Sequence, residues 1–249
     1  MAAEASKSTS ALKFLRDLIV IVLSALLAAF LLKTFLIRSF YIPSGSMENT
    51  LHVNDRVIVN QLAPELVQIK RGDIVVFRDP GGWLHASPAP ELHPLQKALQ
   101  FIGLSPDVSN DYLIKRVIGV GGDRVTCCGN NGYLEVNGVA IDEPYTVIPP
   151  GETAASGLEF DVTVPEGYLW LLGDNRYASK DSRYNQDLPS KGFVSAEHVV
   201  GKAFLLNWPL DRLRILESYP EVFADVPEPD TAQETTTSAP RHARDAEAR

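Results

Sequence analysis

Apolar positions fall into three regimes along the chain. Residues 18–32, LIVIVLSALLAAFLL, contain no charge at all. Between residues 55 and 174, short runs rich in Val, Ile and aromatics alternate with Gly, Pro, Asn and Asp. The last stretch, 221–249, is polar, contains proline and is poor in aromatics.

The first regime predicts a membrane segment. Fifteen residues fall short of the roughly 20 that span a bilayer. Extending from Phe14 to Ile37 gives enough length, with Arg16, Asp17 and Lys33 near the interfaces and the long basic side chains snorkelling outward. A core helix this uniformly apolar would need a larger protein around it. A cleavable leader would need small residues after the run, and the bulky KTFLIRSFYIP follows instead. The pattern therefore predicts an uncleaved signal-anchor over 14–37, with 1–13 as a cytoplasmic N-terminus. Lys7, Lys13 and Arg16 precede the span and Lys33 and Arg38 follow it, a slight preference for that orientation.

The second regime predicts strands. DRVIVNQL (55–62), GDIVVFRD (72–79), RVIGVGGDRVTCC (116–128), YLEVNGVAI (133–141), FDVTV (160–164) and YLWLLGD (168–174) are bounded by turn residues. NNGYLEVNGVAI reads as a hairpin. Strands do not alternate regularly with helices, so the fold class is mainly β: an antiparallel domain over 38–220 behind a transmembrane helix. Residues 80–112 form an insertion. Within it LHPLQKALQFIGL suits a short amphipathic helix that packs on the domain or touches the bilayer surface. The third regime predicts a disordered tail over 221–249.

A net charge of −8 and a sequence pI of about 5.2 exclude a generic nucleic-acid binder. About half of the excess lies in 221–249, which holds seven acids and three arginines. The two cysteines, Cys127 and Cys128, are adjacent. They form a strained vicinal disulfide or remain two thiols in a turn, and a structural role is expected. Histidines at 52, 85, 93, 198 and 242 show no ligand spacing, so neither a metal nor a cofactor is expected.

Candidate chemistry begins at IPSGSMENTL, residues 42–51. Ser-Gly-Ser strings commonly fill surface turns. A nucleophilic serine needs a base. His52 and His198 have no orienting carboxylate at a telling spacing. Lys115, in YLIKRVIGV, stands among Leu113, Ile114, Val117 and Ile118. If it points inward, desolvation disfavours its ammonium form and makes it a base, while Arg116 points outward and stays solvated or finds an acid. If it lies on an edge strand, it guards against aggregation. Gly45 would allow close backbone approach, with the Ser46 amide and Ser44 hydroxyl aimed at an oxyanion.

Four blocks carry a resemblance: RSFYIPSGSMENTL after the apolar run, RGDIVVF, YLIKRVIGVGGD and LLGDNRYASKDSR. In this order the chain resembles a bacterial type I signal peptidase over roughly residues 37–205. The resemblance implies a Ser-Lys endopeptidase that removes signal peptides from exported preproteins, without a cofactor. Ser46 falls on the nucleophile, Lys115 on the general base and Ser44 on the oxyanion donor. Ser179 falls on a serine that orients the lysine. Asp181 and Arg183 match a supporting charged pair, and Asp174 and Arg116 a second one. Phe40, Tyr41, Ile42, Pro43, Leu113 and Ile114 would line shallow pockets for small side chains, giving an Ala-X-Ala preference. The implied partners are signal peptides, the lipid bilayer and the export machinery, with the catalytic domain outside the cytoplasm.

Two departures stand out. Asn49 replaces a frequent proline, and YNQDLPSK intervenes between DSR and Gly192. Two other readings remain: a non-catalytic, membrane-tethered β domain that binds extended peptides, and a self-cleaving Ser-Lys regulator. The span and the lack of a DNA-binding segment count against the second.

Overall fold

β-Branched and aromatic runs pair into sheets because their side chains pack well on a pleated surface. In the computed structural model, residues 2–84, 93–94, 111–129 and 131–229 are described. One long helix, α1 (Ala2–Phe35), leads directly into β1 (Ile37–Tyr41). Then come β2 (Arg56–Asn60), β3 (Ile74–Arg78), β4 (Tyr112–Val120), β5 (Arg124–Cys127), β6 (Leu134–Val136) and β7 (Val139–Ile141). The described strands end with β8 (Phe160–Thr163), β9 (Tyr168–Leu172), β10 (Val194–Ser195), β11 (Val199–Trp208) and β12 (Arg214–Ile215).

The larger sheet runs β1-β2-β11-β3-β4-β9-β10, with β12 added to β11; the smaller runs β7-β6-β5-β8. Every pairing between these strands is antiparallel, as the turn-bounded pattern predicts. The β6–β7 hairpin turns through Asn137 (φ 51°) and Gly138 (φ 79°), the paired positive φ values that a two-residue primed turn needs.

Both faces of the central strands are covered. Ile74, Val76 and Ile114 pack with Phe40, Ile42, Met47 and Leu51. Val75, Phe77 and Val117 pack with Trp83, Leu169 and Leu171. A third cluster joins the sheets through Ile118, Trp170 and Leu172 against Val125, Leu134 and Val136. Each fully buried aliphatic or aromatic side chain contributes about 1.5–3 kcal/mol relative to exposure, so these clusters are the main stabilising force.

Several boundaries differ from expectation. The 116–128 strand is two strands, β4 and β5, separated at Gly121–Gly122 and joined N-terminally by Tyr112–Lys115. Gly122 has φ +86°, which breaks the extended run. Residues 221–229 are packed rather than disordered: Phe223 and Val226 are buried, and the Pro227 carbonyl accepts from Arg71 and Asn137. Their apolar side chains lie within a stretch whose mean composition is polar. Apart from His93 and Pro94, the expected inserted helix lies outside the described residues, as does the tail beyond 229.

Leu18, Ile19, Val20, Ile21, Val22, Leu23, Leu26 and Leu27 of α1 are all exposed. Among the described residues, no helix is long and apolar enough to cross a membrane.

Candidate active site

Ser46 lies in a single tight turn, Gly45–Met47, four residues after β1 ends. The flanking chain is fixed at both sides. Ile42 exchanges backbone bonds with Asp55 and Asn54, and Met47 and Leu51 are fully buried plugs in the core beneath. Asn175 holds the turn from outside: its N–H donates to the Ser46 carbonyl at 3.1 Å and its Nδ2 to the Gly45 carbonyl at 3.3 Å.

Lys115 lies in β4, opposite Val75 of β3, and its burial rules out the role of a solvent-facing edge guard. It is 3% exposed, and its Nζ donates to Ser46 Oγ at 2.7 Å and to the Ile114 carbonyl at 2.9 Å. Burial pushes the Lys115 ammonium down from 10.5 to about 8, against the upward pull of the Asp181 and Asp174 carboxylates; Arg183 adds to the lowering. Charging an amine inside the protein forfeits its hydration, which explains the dominant direction.

Ser44 is exposed, and its Oγ donates to Ser46 Oγ at 3.4 Å. Ser179 is buried, and its Oγ has no hydrogen-bond partner among the described residues. It sits against Gly173, where an added Cβ would lie 2.2 Å from Ser179 Oγ and 2.4 Å from the Ser46 carbonyl. The glycine on which this packing depends is therefore Gly173. An added Cβ at Gly45 would meet the flexible end of Glu48 instead, at 2.9 Å.

The charged pairs surround this centre. Arg183 forms a fork on Asp181 (2.8 and 2.7 Å), with both side chains fully buried. Asp181 also accepts the Gly173 N–H at 3.0 Å, linking that pair to the glycine between the two serines. Arg183 further donates to Ser156 Oγ and the Arg176 carbonyl, so the loop departure after DSR leaves its anchoring intact. Arg116 forks onto Asp174 at 2.9 and 2.7 Å and donates to the carbonyls of Gly72 and Glu217. Of the two expected outcomes for Arg116, solvation or an acid partner, the structure shows the second: it is fully buried on Asp174.

A third buried pair was not legible in the sequence. Arg176 forks onto Glu143 at 2.6 and 2.5 Å, and Tyr145 Oη donates to Glu143 at 2.7 Å. The Arg116 guanidinium lies 3.9 Å from the centre of the Tyr145 ring, which ties this pair to the previous one. Arg176 and Asn175 lie inside the LLGDNRYASKDSR block, where an arginine and amide beside Asp174 were the available signal. Glu143 had none.

Phe40, Tyr41, Ile42, Pro43, Leu113 and Ile114 all line one groove of about 150 Å³, which also reaches Ser44, Ser46 and Lys115. Val76, Tyr112 and Leu84 complete its wall. β9 pairs with Arg116–Val120 of β4, leaving the flank of Tyr112–Lys115 beside the groove without a partner strand among the described residues. Cys127 and Cys128 are joined as a disulfide. Among the described residues, no group of three or more His, Cys, Asp or Glu is placed to hold a metal ion.

Comparison with known proteins shows the family. The family model "Signal peptidase, peptidase S26" matches residues 15–208. Signal peptidase I of Mycobacterium tuberculosis is 39% identical over 225 residues, covering 82% of this chain and 76% of the relative. A probable signal peptidase I of Mycobacterium leprae is 39% identical over 199 residues, covering 69% and 68% respectively. A solved signal peptidase I from Enterococcus faecalis V583 is 26% identical with a TM-score of 0.36, covering 54% of this chain and 96% of that one. The chain therefore belongs to the signal peptidase family, peptidase S26, and is a serine-protease hydrolase of the signal peptidase I kind.

Proposed function

We propose that the chain is a membrane-anchored endopeptidase that removes N-terminal signal peptides from exported preproteins, using Ser46 as nucleophile and Lys115 as general base. The observation that carries this reading is the buried 2.7 Å contact between Ser46 Oγ and Lys115 Nζ. A nucleophile and base in hydrogen-bond reach, with the base held near neutrality by burial, meet the requirements of covalent acyl transfer.

The preprotein lies extended along the free flank of Tyr112–Lys115, adding a strand whose side chains enter the groove. Neutral Lys115 takes the proton from Ser46 Oγ as the oxygen attacks the scissile carbonyl. The Ser46 N–H and Ser44 hydroxyl receive the oxyanion. The Lys115 ammonium returns the proton to the departing amine, leaving an acyl-enzyme. Water, deprotonated by Lys115, then attacks the ester carbonyl; the C–Oγ bond breaks, and the Lys115 ammonium returns the proton to Ser46 Oγ as the carboxylic acid product leaves. Ser179, whose buried hydroxyl makes no hydrogen bond among the described residues, orients the lysine by turning that hydroxyl to the amine during the reaction; Asp181–Arg183 holds Gly173 against both serines, and Arg116–Asp174 braces the far side of β4.

The apolar run over 14–37 anchors the chain, with the catalytic domain on the extracytoplasmic side. The support is the all-round exposure of large apolar side chains on α1, since a helix apolar on every face is unfavourable in water. Anchoring fixes the site at a constant height above the bilayer, where a tethered substrate meets it at high effective concentration.

The test is to incubate the purified full chain in detergent or vesicles with a preprotein bearing a small-X-small site. Cleavage is expected for wild type, and its loss in Ser46→Ala and Lys115→Met. An intact preprotein beside folded wild type would leave a peptide-binding tethered domain as the better reading. Normal cleavage by Lys115→Met would remove the dyad.

A further inference from the structure

Leu84 is an apolar side chain that the core does not use. Its neighbour Trp83 is 3% exposed and packs edge-to-face on Phe77, with ring centres 5.7 Å apart. Leu84 itself is half-buried and lines the groove beside Ser46. The loop that presents it is pre-shaped. Asp79 Oδ1 accepts the N–H groups of Gly81 (2.9 Å) and Trp83 (3.1 Å), and Oδ2 accepts that of Leu84 (3.2 Å). Gly81 (φ +117°) and Gly82 (φ +86°) take backbone conformations that other residues rarely adopt, so the loop can turn back on Asp79.

The register locates this wall along the substrate. Phe77, on which Trp83 packs, pairs with Leu113 of β4, two residues before Lys115. In an extended peptide, side chains two apart share a face and are about 6.6 Å apart. A peptide running parallel to β4 with its scissile bond at Ser46 and Lys115 places its third residue before that bond level with Leu113, which shares the groove wall with Leu84.

We infer that Leu84, held by Asp79 and Trp83, is a specificity-determining residue that closes the groove around the third residue before the cleaved bond and restricts it to small side chains. This rests on the peptidase reading above. It assigns the first residues of the insertion after β3 a place in the substrate site.

The experiment measures kcat/KM of the full chain on preproteins that differ only in that third residue (Ala, Val or Leu), with a second series varying the residue directly before the bond. Leu84→Ala should raise the Leu-to-Ala ratio at the third position about tenfold or more, the scale set by a few methylenes in an apolar pocket. Leu84→Trp should lower the Val-to-Ala ratio. Asp79→Ala should shift the ratio in the same direction as Leu84→Ala. The second series and the pH profile should stay as in wild type. If the Leu84 variants keep the wild-type third-position profile while cleaving, the inference falls alone. A folded wild type that cleaves no member of either series overturns the peptidase reading and this inference together.

Discussion

Lys115 Nζ donates to Ser46 Oγ at 2.7 Å from a strand interior where neither side chain is more than 8% exposed. The amine has no carboxylate in direct contact to hold its charge; Asp181 and Asp174 act on it only through space. With its pKa lowered by burial to about 8, about one molecule in ten carries the neutral base at pH 7. The kcat/KM for preprotein cleavage should therefore rise about tenfold per unit on the acid side and level off above about pH 8. A profile that keeps climbing to pH 10 would mean a lysine with its ordinary pKa and would contradict the buried base.

The same burial makes a stability prediction. A lysine with a lowered folded pKa releases its proton earlier in the folded state than in the unfolded chain. Its destabilising contribution is full below about pH 8 and fades as pH rises from about 8 to 10.5. Lys115→Met removes the ionisable group while keeping an unbranched side chain. Relative to wild type, the variant should gain on the order of 3 kcal/mol at pH 6.5, and the gain should shrink toward pH 10. Urea midpoints at these two pH values read the difference. A gain independent of pH would reflect packing rather than charge.

Gly173 is the position where a single methyl group separates fold from function. An added Cβ would stand 2.2 Å from Ser179 Oγ and 2.4 Å from the Ser46 carbonyl, both far inside contact distance. Gly173→Ala must displace the nucleophile turn or Ser179. It should lower kcat by about 100-fold or more, with a stability loss of about 1–3 kcal/mol. Removing the hydroxyl in a Gly173→Ala, Ser179→Ala double variant should restore little stability, because Ser179 Cβ still lies 2.5 Å from the added Cβ. It should not restore activity, because the contact with the Ser46 carbonyl remains as well. Activity and Tm measured on the same preparations separate the two effects.

The site was legible where its signals are local. IPSGSM, YLIKRVIGV and ASKDSR each carry their candidate residues within a few positions; the structure sets Lys115 on Ser46, and Ser179 across Gly173 from the Ser46 carbonyl. The sheet was less legible. β11 is the strand that joins β2 to β3, yet VVGKAFLLNW shows no clean alternation. Register shifts between Ala203 and Leu205, and again between Leu206 and Trp208, break the period on which sequence patterns rely. β1 was concealed for another reason: its apolar residues continue directly from the run assigned to the membrane span. Arg116 found the acid that the sequence offered as one of its two outcomes, Asp174; alternation distinguishes the two faces of a strand but does not tell whether the second face is covered.

The Glu143–Arg176 pair arises from residues 33 apart in sequence whose side chains are at most 3% exposed. Glu143 also receives the Tyr145 hydroxyl, so the carboxylate is fully committed within the interior. Removing one partner leaves the other charge buried without compensation, which typically costs 3–5 kcal/mol. Glu143→Leu should therefore destabilise the folded domain by about that amount, read as a fall in the urea midpoint. A Glu143→Leu, Arg176→Met double variant removes both charges and should recover most of the loss. Activity supplies an independent readout. Arg176 lies three residues before Ser179, its carbonyl accepts from Arg183 and its Nε donates to the Gly173 carbonyl, whereas its guanidinium has no hydrogen bond to Ser46 or Lys115 among the described residues. A stable double variant should thus keep the apparent pKa near 8 while losing turnover only as far as Ser179 and Gly173 shift. If the double variant is as unstable as the single one, the pair contributes through the packing of its two long side chains rather than through their charges.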